Sequence, residues 1–218
     1  MLNQKEIRQS LDYMAKLYPD AHCELYYTNP FELVIAVLLS AQTTDINVNR
    51  VTPELFKRFK TPEDILSVPV EEIENHIRSI GLYRTKAKNI QKLARKLIDD
   101  FNGEVPKTRA ELESLAGVGR KTANVVLSVA FDIPAIAVDT HVERVAKRLA
   151  FCRWKDNTRQ VEETLMKKIP KEEWSVTHHR LIFFGRYHCT ARNPECPTCE
   201  LVDICREGKK VMKKINAK

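Results

Sequence analysis

No run of apolar residues in this sequence is long enough to cross a bilayer. The longest, Leu33 to Leu39, falls far short of the roughly 20 residues a membrane helix requires. The N-terminal MLNQKEIRQS lacks the basic-then-apolar order of a secretory signal, and the two absences together predict a cytoplasmic protein. Convincing period-two alternation is missing too, which argues against a sheet-based fold. Acidic residues are in the minority: 36 Lys and Arg stand against 29 Asp and Glu, and the pI is about 9.1. That balance favours a polyanionic partner, although an ordinary basic surface produces the same count.

What is present suffices for a sizeable core. The 218 residues are 43% hydrophobic and 30% charged, the composition of a globular chain with one large core or two smaller ones and not of a disordered one. Helix signals recur. Thr52-Pro53-Glu54 and Thr61-Pro62-Glu63-Asp64 each offer an N-cap, a proline for the first helical position and an acid for the first turn. Asn29-Pro30 opens FELVIAVLLSAQ, whose nearly all-round apolar surface predicts a helix buried in the core. The predicted fold class is all-α.

Two segments, IRSIGLYRTKAKNIQKLA (77–94) and LESLAGVGRKTANVVLSVA (112–130), each read as a short helix, a glycine-bearing turn, basic residues and a longer apolar helix. The second has the fuller pattern. Thr108 and Glu111 suit a capping box for a first helix bearing Leu112 and Leu115, Gly117 can take the left-handed conformation that ends it, and Gly119 lets backbone approach a ligand closely. Ala123, Val126, Leu127 and Ala130 form the apolar stripe of the next helix. The segment 108–131 is thus a helix-hairpin-helix. Its turn, with Gly117, Val118, Gly119 and Arg120, directs backbone N–H groups to one point and makes a phosphate site that ignores base sequence. A nucleotide-binding P-loop is the competing reading, but it needs a glycine where Ser114 stands, a lysine where Arg120 stands, and a preceding strand.

Lys121 is out of place on electrostatic grounds, since a cation at a helix N-terminus is disfavoured by roughly 0.3–1 kcal/mol. In DTHVERVAKRLA (139–150), Thr140 and Glu143 suggest another capping box, with Asp139 just outside the helix and its carboxylate free; alternatively Asp139 is itself the N-cap. His141 either contacts a ligand or packs at the helix start.

Four of the six cysteines, Cys189, Cys196, Cys199 and Cys205, fall in CTARNPECPTCELVDIC at intervals of six, two and five residues. So compact a set in a reducing compartment signals a metal. Zinc favours paired short knuckles, whereas the single C-x-x-C here suits an iron–sulfur cluster at least as well. Cys23 and Cys152 stand apart and read as small apolar residues.

The hairpin LAGVGRKTANVV, the segment VDTHVERV and the C-x6-C-x2-C-x5-C ending, in this order, resemble the bacterial endonuclease III family over essentially the whole chain. The resemblance implies a bifunctional DNA N-glycosylase of base excision repair that removes oxidised pyrimidines and cleaves at abasic sites by β-elimination. It implies a two-domain helix-hairpin-helix glycosylase fold: a six-helix barrel domain over 22–132, and a 4Fe-4S cluster domain from 1–21 and 133–218 with the cluster on the four cysteines. Lys121 is then the nucleophile and Asp139 the catalytic carboxylate. Gln42 and Leu82 resemble the residues that fill or wedge the duplex, His141 is a candidate contact, and Arg192 is presented to the DNA backbone by the cysteine loop. The expected partner is double-stranded DNA containing oxidised pyrimidines or abasic sites, bound by a monomer. Ala116 departs from the family, which more often has proline there.

That assignment accounts for Lys121. An enzyme acting on a damaged nucleotide takes it out of the stack, and a hairpin gripping the neighbouring phosphate puts C1′ beside the first residues of the second helix. A non-catalytic hairpin protein needs neither Lys121 nor Asp139, and a ferredoxin-like carrier needs no hairpin. The related adenine glycosylases typically lack the hairpin lysine and carry an extra C-terminal domain.

Overall fold

A computed structural model describes residues 1–217, and among these there is no strand. The all-α expectation holds. None of the described helices is long and apolar enough to cross a membrane. The chain divides into two compact units, one of residues 24–133 and one joining 1–23 to 134–218.

The 24–133 unit holds α2 (Pro30–Leu39), α3 (Asp45–Arg58), α4 (Pro62–Leu66), α5 (Val70–His76), α6 (Tyr83–Phe101), α7 (Arg109–Glu113) and α8 (Arg120–Ala130). Asn29 caps α2 and Pro30 starts it, and Phe31 to Leu39 are all buried, as an all-round apolar helix must be. α2 packs on α8, α3 and α6, while α4 and α5 pack on α6.

Thr61 and Pro62 open α4 as expected, but Thr52 and Pro53 do not open a helix. Thr44 is the cap, and α3 runs on through Pro53. Val48, Leu55 and Phe56 are buried on α3, so continuing the helix removes apolar side chains from water. That gain outweighs the one hydrogen bond that proline cannot donate.

The other unit holds α1 (Gln4–Leu17), α9 (Thr140–Arg148), α10 (Thr158–Lys168), α11 (Trp174–Phe183) with a π-helical continuation over Phe184–His188, and α12 (Arg206–Ile215). Its core joins Ile7, Leu11 and Met14 of α1 to Val142, Val145, Phe151, Leu165, Leu181 and Phe184. Cys152 lies in that core, where burial pushes its thiol up to about 11, the environment of an inert apolar cysteine. Cys23 is half-buried.

Candidate functional site

The hairpin is built by its turn. Thr108 caps α7, accepting from the Glu111 N–H at 3.3 Å, but only half of the expected box forms: the Thr108 hydroxyl itself donates to Glu111 Oε2 at 2.6 Å. Gly117 has φ +80, and a Cβ there would stand 2.9 Å from Asn89 Nδ2 and 3.0 Å from Leu38 Cδ1, so both backbone and space demand glycine. Gly119 is extended and would have nothing within 4 Å of an added Cβ; its face is open. Val118 is buried and its N–H bonds to Leu115 O at 3.1 Å, so it holds the turn together.

α8 then starts at Gly119 with no side-chain cap. Arg120 is half-buried, and Lys121 is exposed with no hydrogen-bond or ion-pair partner within its own unit. One turn on, buried Asn124 accepts from Arg109 Nε at 2.8 Å, which braces α7 against α8.

Gln42 and Leu82 lie in the same unit, and both are exposed non-glycine residues with positive φ, at 56° and 60°. Leu82 is 63% exposed as the N-cap of α6, a strained and solvent-facing place for a leucine. Their turns are tied together by Lys86. Its backbone N–H bonds to Leu82 O at 3.0 Å, and its ammonium donates to Leu39 O at 2.9 Å, Ala41 O at 2.6 Å and Thr43 Oγ1 at 3.3 Å. Burial lowers the pKa of this amine. Sequence reading passed over Lys86, although its spacing to buried Ile90, Leu93 and Leu97 sets it on the apolar stripe of α6, where a lysine is anomalous.

In the other unit Asp139, not Thr140, is the N-cap of α9, and Asp139 Oδ1 accepts from the Val142 N–H at 2.8 Å. The Thr140–Glu143 box does not form, because Glu143 is taken by Lys147 at 2.6 Å and by the Thr158 hydroxyl at 3.1 Å. Among the described residues of its unit Asp139 Oδ2 accepts no hydrogen bond, so capping occupies one carboxylate oxygen and leaves the other. His141 is half-buried at the helix start with Nδ1 3.1 Å from Arg144 Nη2; burial lowers its pKa and Asp139 partly opposes that. Arg144 Nη2 also donates to Gly185 O at 2.7 Å.

The four cysteines line one largely apolar cavity with Leu149, Phe184 and Val202. Among the described residues no three His, Cys, Asp or Glu side chains converge as they would on a single metal ion. Four thiols spread round a cavity fit a multi-iron cluster better than one tetrahedral ion. Burial pushes Cys199 up to about 11 and raises Cys196 and Cys205, so thiolates there at neutral pH require a compensating cation. Arg148 supports the loop, donating to Thr190 O at 2.6 Å and Ala191 O at 2.8 Å; with partners more than 40 residues away, it had no local sequence signal. Arg192 is exposed on that loop.

Residues 35–171 match a family model described as HhH-GPD superfamily base excision DNA repair protein, and the chain belongs to that family. It is therefore a base excision DNA repair enzyme, a DNA glycosylase/AP lyase by class, with the two-domain helix-hairpin-helix glycosylase fold. Within the family its likeness is to endonuclease III. It is 64% identical over 214 residues to the Bacillus subtilis enzyme, covering 98% of each chain, and 48% identical over 210 residues to that of Escherichia coli K12, covering 96% of this chain and 99% of the relative. A solved endonuclease III–DNA complex, a trapped covalent intermediate with an estranged adenine, is 67% identical with a TM-score of 0.95, over 97% of this chain and 100% of that one.

Proposed function

We infer that this chain is a bifunctional glycosylase that removes oxidised pyrimidines from double-stranded DNA and cuts the strand through a lysine Schiff base on Lys121. The observation that carries this reading is the start of α8: an exposed lysine without a partner in its unit, in the first turn of an uncapped helix, behind a hairpin whose Gly119 face is open. The covalent endonuclease III–DNA intermediate of the relative supports the same chemistry.

The hairpin, with Gly117, Val118, Gly119 and Arg120, grips phosphate without reading sequence. The Lys121 amine attacks C1′ as the base departs and forms an imine; loss of the acidified C2′ proton then breaks the C3′–O bond on the 3′ side of the lesion. Asp139, through the carboxylate oxygen that capping leaves, takes a proton from the amine or its adduct and stabilises positive charge developing on the sugar. Gln42 and Leu82 fill the stack, and His141 and Arg192 are further DNA contacts. The 24–133 unit serves as the barrel domain. The other unit serves as the cluster domain, with Cys189, Cys196, Cys199 and Cys205 holding a 4Fe-4S centre whose role is structural, since glycosidic cleavage and elimination transfer no electrons. The protein acts as a cytoplasmic monomer.

Incubation with duplexes carrying an abasic site, thymine glycol or no lesion tests this directly. Scission of the first two and not the third is expected; no scission of the abasic duplex would overturn the lyase assignment.

The two glycines separate fold from contact. Gly117→Val forces a β-branched residue into a left-handed, crowded position at a cost of about 2 kcal/mol or more, a fall in Tm of roughly 5 °C at this chain length. Gly119→Val meets open space, so its Tm should stay near wild type while affinity for damaged and undamaged duplex falls together. Equal loss of Tm in both variants, measured by calorimetry beside a binding titration, would refute the division.

A further inference from the structure

We propose that Lys86 is a positioning residue that sets the Gln42 and Leu82 turns at the spacing a distorted duplex requires. The proposal rests on the reading of Gln42 and Leu82 given above. Lys86 is 5% exposed and meets no carboxylate; its ammonium is held by two carbonyls and a hydroxyl at the end of α2 and in the turn after it. Helix-end carbonyls carry partial negative charge and suit a cation. Those three acceptors span residues 39–43 and so bracket Gln42, while the Lys86 backbone N–H holds Leu82 O. One residue therefore joins two strained, exposed tips that have no direct hydrogen bond to each other among the described residues. Asn47 Nδ2, in the first turn of α3, donates to Ser79 O at 3.1 Å and ties α3 to the stretch just before Leu82.

A buried ammonium without a counter-ion is costly, and an apolar side chain would fill the same space. Its three donors radiating from one atom supply what a neutral side chain does not: simultaneous purchase on Leu39, Ala41 and Thr43. Lys86 touches no reacting atom; it acts through Gln42 and Leu82.

The test compares binding to a duplex bearing a tetrahydrofuran abasic analogue with binding to the undamaged duplex, and follows 2-aminopurine fluorescence opposite the analogue. Wild type should prefer the analogue and raise the fluorescence as the opposing base unstacks. Lys86→Met should lose about tenfold of that preference, with affinity for undamaged duplex within about twofold of wild type, and should lose the fluorescence rise. A purely structural role would lower Tm and scale both affinities equally. An unchanged preference in a folded Lys86→Met overturns the proposal. Should that variant fail to fold by circular dichroism, Thr43→Val, which deletes one acceptor of the ammonium, decides in its place: a shift of preference in the same direction supports the proposal, and no shift overturns it. Absence of both preference and borohydride trapping in wild type would instead sink the underlying functional reading.

Discussion

Lys121→Gln should bind abasic-site duplex with nearly wild-type affinity and fail to cut it. The lysine is exposed and has no hydrogen-bond or ion-pair partner within its unit, so glutamine of similar length removes no polar tie from the fold; a surface change of this kind usually stays within about 0.5 kcal/mol. Loss of a covalent nucleophile commonly lowers rate by about 10³ or more, with each tenfold worth about 1.4 kcal/mol of barrier. Borohydride added during turnover should leave wild type covalently attached to the DNA, with peptide mapping placing the adduct on Lys121, and should leave the variant free. Asp139→Asn separates capping from charge. Asparagine caps a helix about as well as aspartate, so α9 should keep its N-terminus while turnover slows, and the intact amine should still be trapped at a reduced rate. Near wild-type cleavage and cross-linking by Lys121→Gln would transfer the role to another amine.

The fold was legible where its causes are local. Asn29-Pro30 and Thr61-Pro62 announce their helices because a cap and an N1 proline act within one turn, and Gly117 announces its left-handed turn because few other residues tolerate one. Thr52-Pro53 carries the same local signal and is overridden, because burial of Val48, Leu55 and Phe56 is a tertiary gain that a three-residue pattern does not register. Asp139 shows the same limit at finer scale. Two adjacent residues could cap α9, and the choice follows from Glu143 being engaged by Lys147 and Thr158, the latter 15 residues on.

The candidate site divides similarly. Hairpin, carboxylate and cysteines are contiguous motifs, whereas their supports, Lys86 beneath the Gln42 and Leu82 turns and Arg148 behind the cysteine loop, act across 42 to 47 residues. Residues that do chemistry leave motifs because chemistry fixes their type. Residues that hold them need only reach.

Cys199→Ser should collapse the yield of folded protein, whereas Cys152→Ser should cost far less. Between Cys189 and Cys205 the only regular structure is one 3₁₀ turn at Cys196–Thr198, and single-turn bonds such as Cys199 N–H to Cys196 O at 3.3 Å and Val202 N–H to Cys199 O at 3.1 Å hold the rest of the segment that carries the four thiols. Arg148 anchors Thr190 and Ala191 at one end, and the Gly208 N–H meets Cys205 Sγ at 3.3 Å at the other, so between them only isolated turns and the proposed ligands fix the loop. A structural metal site contributes on the order of 10 kcal/mol, comparable with the whole stability of a domain. Cys152 is fully buried where Cys199 is half-buried, but it has no place in the ligand set, and serine there buries one poorly satisfied hydroxyl at about 1–3 kcal/mol. Purified aerobically, wild type should be yellow-brown with broad visible absorption and about four irons per chain, the content of a 4Fe-4S centre. Cys152→Ser should keep that colour in proportion to its yield, and Cys199→Ser should lose it in whatever fraction remains soluble. A colourless wild-type protein with stoichiometric zinc would refute the cluster, and equal yields of equally coloured variants would remove Cys199 from its ligand set.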